Sequence, residues 1–259
     1  MRDPGEGVAA DGTITTGAAR GRVPQSFDPV LSTAVGAIAE AVGRDASVYL
    51  YGSVATGQAR RARSDVDLLT IGLAPALGAG LGRELSGQFS GLCRGVEIVT
   101  ATADDLAGQS DEAYGFRVFL RHYCVRLAGP DYARGLPRFP ADARAARGFN
   151  GDIAQHAARW QDALAAGDDP RRLGRRLARK TLLAAAGLVS IHDATWTTDR
   201  ALAARRWGEI EPELGPALHT LLAWSDGLAR PGRPGVRHIL DHATPPIIAA
   251  FAATIGLWP

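Results

Sequence analysis

The stretch from Tyr51 to Leu68 most constrains what this chain can fold into, because it joins two strand-like segments through a polar loop. Residues 47–51 and 66–71 are rich in β-branched and aromatic side chains, which is typical of strands. The loop over residues 52–64 is polar and interrupted by glycine, so we expect it at the surface. The sequence therefore predicts two strands whose ends frame an exposed bend.

Further elements are predicted on both sides of this stretch. Apolar residues three or four apart indicate an amphipathic helix over residues 28–43, and leucines at every fourth position indicate a second helix over residues 75–89. Residues 95–100 form a third β-rich run. Helix, strand, strand, helix and strand in this order predict a compact α/β unit with a small mixed sheet.

Beyond residue 104 the strand signal ends and helical periods continue to the C-terminus. We therefore expect an α+β protein with an N-terminal α/β domain over residues 23–110 and an all-helical domain over residues 111–259. Residues 1–22 hold several glycines and no aromatic or apolar run, which predicts a disordered tail. The tryptophans of the helical part, Trp160, Trp207 and Trp224, are expected in its core.

The overall charge excludes a dedicated duplex-binding protein. The chain has 29 basic and 27 acidic residues, a net charge of +2, which leaves a nucleic-acid partner open without favouring one. Its two cysteines, Cys93 and Cys124, are too few for a metal knuckle or a disulfide scaffold. Since no apolar stretch is long enough to span a membrane, we expect a cytoplasmic protein with no membrane partner. The oligomeric state stays open.

Two aspartates, Asp65 and Asp67, stand at the start of the second strand. Alternate residues of a strand point to the same face, so these carboxylates lie on one side with backbones about 6.6 Å apart. Two like charges this close are costly unless one is protonated or a cation compensates them, and oxygen ligands of this kind suit Mg²⁺. The pair predicts a divalent metal site.

Three further residues complete this predicted site. Gly52 lacks a Cβ and Ser53 offers a hydroxyl and an amide, so the bend after the first strand can hold phosphate oxygens. Glu97 lies in the third strand between Val96 and Ile98, whose side chains face the core. If that strand neighbours the one carrying the aspartates, the three carboxylates converge, and Glu97 can bind metal or accept a proton.

The Gly-Ser bend, the Ser-Asp-x-Asp-Leu motif and the later strand carboxylate resemble the nucleotidyltransferase superfamily that includes DNA polymerase β. The likeness is strongest to the small bacterial branch that holds aminoglycoside adenylyltransferases. The resemblance implies that Mg²⁺ binding and catalysis fall to Asp65, Asp67 and Glu97, and that nucleotide binding falls to Gly52, Ser53 and Ser64. It also implies that the helical domain binds the acceptor substrate.

An arginine-rich helix carries the sole lysine of the chain, Lys180. Its basic residues are Arg171, Arg172, Arg175, Arg176, Arg179 and Lys180. They form either a solvated helix face or a clamp for a triphosphate or an acidic ligand. Because related bacterial enzymes place a basic helix residue opposite the metal pair, the resemblance implies that Lys180 binds the nucleotide.

Together these features predict Mg²⁺-dependent transfer of a nucleoside monophosphate, AMP from ATP, to a hydroxyl of an acceptor. An aminoglycoside-like acceptor is the first candidate that the resemblance implies. Residues 145–259 hold 14 basic and 11 acidic side chains, however, which disfavours a polycationic acceptor. The alternatives are a regulatory modifier of protein or tRNA, and a protein that binds ATP without catalysis.

Overall fold

The computed structural model describes residues 3–43 and 45–259, and the chain divides into two compact units. The first unit comprises Met1–Ala9 and Thr13–Phe139, and the second comprises Ala10–Gly12 and Pro140–Pro259. Sheet and helices mix in the first unit, whereas the second is helical apart from its connecting turns. The α+β class predicted from the sequence is confirmed.

The first unit contains six strands and five helices among the described residues. In chain order they are β1 (Gly7–Val8), β2 (Ile14–Thr15), α1 (Asp28–Val42), β3 (Ser47–Tyr51), α2 (Gly52–Ala55), β4 (Val66–Ile71), α3 (Pro75–Gln88), β5 (Val96–Ala101), α4 (Asp104–Ala107), α5 (Asp111–Tyr123) and β6 (Val125–Ala128). Short 3-10 turns precede α1. The predicted elements of this region therefore agree with the structure to within one or two residues.

Strands β3 to β6 form one mixed sheet in the order β5-β4-β3-β6. β3 pairs antiparallel with both β4 and β6, while β4 pairs parallel with β5. The polar loop between β3 and β4 connects the antiparallel pair, and α3 supplies the crossover to the parallel partner. The small mixed sheet predicted from the sequence is confirmed.

Both faces of the sheet are covered over part of their area. On one face Leu50 and Leu68 join the core formed with α1 and α3. On the other face Tyr49 and Leu69 pack with Leu120 of α5. Packing on both faces fixes the register of β3 and β4, because a slip by one residue would move the side chains of each core to the opposite face.

The sequence analysis expected the first domain to end at residue 110. The first unit of the structure extends to Phe139. β6 pairs with β3, with Tyr49 opposite Arg126, and α5 covers one face of the sheet. Both therefore belong to this unit and not to the helical domain. β6 has only four residues, too few for a clear alternating pattern, and it follows a helix directly.

The structure also differs from the disordered tail expected over residues 1–22, of which residues 1 and 2 lie outside the described range. β1 and β2 pair as a small antiparallel ribbon, and the N–H of Ile14 donates to the carbonyl of Phe139 at 2.9 Å. Ile14 itself is buried. These contacts are mainly hydrogen bonds between backbone groups. Because every residue carries such groups, the contacts give no apolar pattern in the sequence from which they could be predicted.

The second unit is built around one long helix. Its helices are α6 (Ala143–Asn150), α7 (Ile153–Ala166), α8 (Pro170–His192), α9 (Arg200–Ile210), α10 (Gly215–Ser225), α11 (Arg233–His238) and α12 (Thr244–Thr254), and a π-helical turn follows α11. α8 runs through the centre, and the predicted core tryptophans Trp160, Trp207 and Trp224 are all buried. Among the described residues no helix is long and apolar enough to cross a membrane.

His122, near the end of α5, provides a pH test of the first unit. Its Nε2 accepts a hydrogen bond from the N–H of Phe139 at 2.9 Å, and burial lowers the pKa of its ring to about 4. In the unfolded chain the same ring has a pKa near 6.5, so the unfolded state binds a proton before the folded state does as the pH falls. We predict that this contribution to stability is complete above pH 6.5 and is lost as the pH falls towards 4.

The expected loss is roughly 2 kcal/mol, after allowance for the part of the ring that stays in contact with water. Urea unfolding between pH 7.5 and 4 measures it. His122→Gln, which keeps an acceptor, should flatten this part of the pH dependence, whereas the exposed control His219→Gln should retain it. Identical pH profiles for wild type and His122→Gln would contradict the prediction.

Candidate active site

Asp67 is on β4, the strand between β3 and β5, and each of these two neighbours places a polar side chain next to it. Tyr51 of β3 is directly opposite Asp67 of β4, which is in turn in register with Glu97 of β5. Laterally paired residues point to the same face of a sheet, and across an antiparallel pair their Cβ atoms are about 5 Å apart. One face of the sheet therefore presents a phenol and two carboxylates in a row.

Glu97 is exposed on this face, whereas Val96 is buried and Ile98 packs against the core on the other side. The predicted alternation is correct. β5 is an edge strand, and its face that carries Glu97 and Val99 is open to solvent. An exposed carboxylate at this position can exchange protons and ligands with solvent.

The bend after β3 lies directly against Asp67. Gly52 has φ +71°, a left-handed conformation, and a Cβ built at this residue would overlap a carboxylate oxygen of Asp67. Only glycine therefore satisfies both the backbone conformation and the close approach. Ser53 follows in the first turn of α2, where its carbonyl accepts from the N–H of Gln58 at 2.9 Å. The structure thus brings the Gly-Ser bend beside Asp67.

Asp65 is arranged differently from the prediction. It precedes β4, outside the strand ladder, and its two oxygens accept hydrogen bonds from Nε and Nη2 of Arg94, the former at 2.9 Å. The backbone holds this partner in place, since the N–H of Arg94 donates to the carbonyl of Ser64 at 2.9 Å. The hydrogen bond to Asp65 raises the pKa of the Arg94 guanidinium.

The three carboxylates consequently do not converge as the sequence analysis expected. Across residues 3–43 and 45–259, no three acidic, histidine or cysteine side chains are grouped as metal ligands. Asp67 and Glu97 are neighbours, while Asp65 is bound by the guanidinium. The side chains of Asp65 and Arg94 are 27% and 59% exposed, so this ion pair is a solvent-screened one that contributes at most about 1 kcal/mol.

Tyr51 is a site residue that the sequence analysis missed. Burial raises the pKa of its phenol, and the negative charges of Asp67 and Glu97 raise it further. The hydroxyl is therefore protonated at neutral pH and can act as a hydrogen-bond donor. Its ring meets Phe119 of α5 edge to face at 5.1 Å between centroids. Its place as the last residue of β3, directly before Gly52, was the available signal.

Ser64 closes the loop between β3 and β4. Its hydroxyl accepts from the N–H of Arg60 at 2.9 Å, and its own N–H donates to the carbonyl of Arg60 at 2.9 Å. These bonds form a tight turn just before Asp65. The nucleotide-binding role that the resemblance implies for Ser64 stays a prediction.

Lys180 takes part in a polar network of the helical unit. Its Nζ lies 2.6 Å from Oδ1 of Asp152 and donates to the carbonyl of Phe149 at 3.0 Å. The other oxygen of Asp152 lies 3.1 Å from Nε2 of His156. The side chains of Lys180 and Asp152 are only 19% and 14% exposed, so the pair joins α8 to the start of α7. Nucleotide binding by Lys180 stays a prediction.

Comparison with protein-family models gives a match over part of the chain. A family model described as a nucleotidyltransferase domain matches residues 31–94, the span from α1 to the Asp65–Arg94 pair. The match agrees with the nucleotidyltransferase superfamily resemblance that the motifs of residues 31–94 carry. No match to a curated protein was found.

A solved structure shares the fold of this chain over most of its length. The spectinomycin adenyltransferase AAD(9) from Enterococcus faecialis, whose crystal structure contains ATP and spectinomycin, superposes with a TM-score of 0.56 at 13% sequence identity. The match covers 85% of this chain and 98% of that protein. At this level of identity the likeness is one of fold alone.

Gly52→Ala tests the close approach between the bend and Asp67. We predict a loss of roughly 2 to 3 kcal/mol in unfolding free energy, because the methyl group adds a collision with the carboxylate to the left-handed strain. The control is Gly135→Ala, at φ +88° with no atom within 4 Å of a built Cβ, which should cost only about 1 kcal/mol. Equal losses by chemical denaturation would contradict the predicted collision.

Lys180→Met tests whether this lysine supports the helical unit. The substitution leaves Asp152 poorly solvated without its cation, so we predict a loss on the order of 2 kcal/mol in unfolding free energy. Arg172→Met, on an exposed face of the same helix, should change it by less than about 0.5 kcal/mol. Urea denaturation measures both, and a stability of Lys180→Met equal to that of wild type would contradict a structural role.

Proposed function

We propose that this chain transfers AMP from ATP to a hydroxyl group of an acceptor in a Mg²⁺-dependent reaction. The observation that carries the proposal is the position of Asp67, in register with Glu97 and directly against the Gly52–Ser53 bend. A phosphate-binding bend beside two carboxylates is the arrangement that a metal-bound triphosphate requires. The family match over residues 31–94 supports the same chemistry.

The donor groups fit Mg²⁺, which prefers carboxylate and phosphate oxygens. Asp67 would hold it together with Asp65, once Asp65 exchanges its partner Arg94, and Glu97 beside them stays available as a base. That exchange costs little, because the ion pair is exposed to solvent. When bound, the metal supplies positive charge that stabilises both the attacking and the leaving oxygen.

Other residues of the chain would position the nucleotide. Ser53 directly follows the Gly52 bend beside Asp67, and it offers its hydroxyl and N–H as donors to a phosphate group. Arg94, after its release from Asp65, provides a guanidinium that can bind a phosphate in bidentate fashion. The protonated Tyr51 hydroxyl adds a further donor on the same face of the sheet.

In the proposed reaction the acceptor oxygen attacks the α-phosphorus of ATP. A new P–O bond forms, the bond between the α-phosphorus and the bridging oxygen breaks, and pyrophosphate leaves. Glu97 accepts the proton of the acceptor hydroxyl and passes it to solvent, to which its edge strand is open. The phenol of Tyr51 keeps its proton throughout and serves only as a donor.

The acceptor class is the finer part of the proposal. The ATP and spectinomycin bound to the structural neighbour support ATP as the nucleotide and an aminoglycoside-like small molecule as the acceptor. The excess of basic over acidic residues in 145–259 disfavours a polycation. A protein or tRNA acceptor, and ATP binding without transfer, remain the alternatives.

Asp67→Asn tests the catalytic assignment. We predict that transfer falls by about 10³-fold, while the unfolding free energy stays within about 1 kcal/mol of wild type, because the substitution removes a charge beside Glu97 without changing shape. The control is Glu84→Gln, an exposed acid on α3, which should retain full activity. Near-normal transfer by Asp67→Asn would contradict the catalytic role assigned to Asp67.

The acceptor is identified by supplying ATP labelled at the α-phosphate, with Mg²⁺, to the purified protein and each candidate separately. Spectinomycin, a panel of aminoglycosides, tRNA and the protein alone are the arms. Label in one acceptor together with stoichiometric pyrophosphate release supports transfer and names the class. Saturable ATP binding with no release from any arm would favour the non-catalytic alternative.

A further inference from the structure

The second unit contains a cavity beside α8 that the proposed transfer chemistry does not use. Its volume is about 510 Å³, within the range of small-molecule sites. One wall is the exposed face of α8, with Arg171, Arg172, Arg175, Arg176 and Arg179. The other wall is Trp224 of α10 and the segment that follows, which contributes Arg230.

Two glycines bring these walls together. A Cβ built at Gly174 of α8 would lie only 2.5 Å from Cβ of Pro231 in the opposite wall. Gly227, at φ +75°, is so close to Arg175 that a Cβ there would lie 2.6 Å from its Nη2. The guanidinium of Arg175 therefore rests against backbone, and larger residues at either glycine would push the walls apart.

The lining is strongly unbalanced in charge, with six arginines and one aspartate. That acid, Asp169, caps α8 by accepting the N–H of Arg171 at 3.1 Å. Two arginines elsewhere in this unit, Arg200 and Arg206, have acidic partners, and Arg206 lies 2.8 Å from Asp193. Within the described ranges of the chain, by contrast, no carboxylate forms an ion pair with five of the lining residues, which are Arg171, Arg172, Arg175, Arg176 and Arg230.

Guanidinium groups so arranged repel each other and exclude cationic ligands. They match phosphate oxygens, which they bind in bidentate pairs. The cavity has a second wall, formed by Trp224 and the segment up to Pro231, and the chain as a whole has a net charge of only +2. Both features favour a compact ligand with several adjacent phosphates over an extended nucleic-acid backbone.

We propose that this arginine cavity binds a compact polyphosphate, either an inorganic polyphosphate or the triphosphate of a nucleotide. Binding needs no metal ion, because the arginines themselves neutralise the phosphate charge. The proposal rests on the second unit alone, so its failure would leave the proposed AMP transfer untouched.

Calorimetric titration of the full chain with sodium tripolyphosphate in EDTA tests the proposal. EDTA removes divalent ions, so metal-dependent binding at the carboxylates of the first unit does not contribute. We expect saturable binding at low salt that weakens as the salt concentration rises.

ATP in EDTA is the second arm. Tighter binding of ATP than of tripolyphosphate supports a nucleotide as the source of the phosphates, and equal binding supports the inorganic form.

The double variant Arg175→Gln, Arg230→Gln removes one guanidinium from each wall. Its affinity for tripolyphosphate should fall at least about tenfold, since two charge-assisted contacts are lost. The double variant Arg205→Gln, Arg237→Gln makes the same change in net charge at exposed positions outside the cavity and should change affinity less than about twofold. Circular dichroism and thermal melting verify that both variants are folded.

Three results would overturn the proposal. They are no binding of either polyphosphate at low salt, an equal loss of affinity in the two double variants, and preference for a short single-stranded RNA over tripolyphosphate with the same dependence on Arg175 and Arg230. The first two results would show that the cavity is not a polyphosphate site. The third would show that its ligand is a nucleic-acid backbone and not a compact polyphosphate.

Discussion

The close approach of Gly52 to the Asp67 carboxylate is the constraint on which the candidate site depends. It requires a residue without a Cβ in a left-handed conformation, directly after β3 and beside β4. The approach is held in place by the antiparallel register that sets Tyr51 opposite Asp67. That register is fixed in turn by apolar packing on both faces of the sheet.

Charge is separated between the two units in a way that the small net charge conceals. The first unit gathers carboxylates at one end of its sheet, where Arg94 compensates Asp65. The second unit gathers arginines around a cavity and pairs its lysine with Asp152. The two proposals assign a different partner to each arrangement, a metal-bound phosphate in the first case and a bare phosphate in the second.

The sequence predicted the central strands well because their patterns are local. β3 and β4 begin and end where β-branched runs meet glycine or polar residues, and the alternation around Glu97 placed its neighbours correctly on the core side. β6 and the N-terminal ribbon were missed, because four-residue and two-residue strands leave no measurable period. The exposure of Glu97 depends on strand order, which periodicity does not encode.

The sequence by itself determined the types of element, the acidic motif, the Gly-Ser bend and the arginine-rich face of α8. Only the tertiary structure decided that Asp65 turns to Arg94, that Tyr51 lies beside Asp67, and that Arg230 faces α8 across a cavity. The reason is physical. Periods of 2 and 3.6 residues follow from the backbone of a single segment, whereas contacts between segments depend on how distant parts of the chain pack.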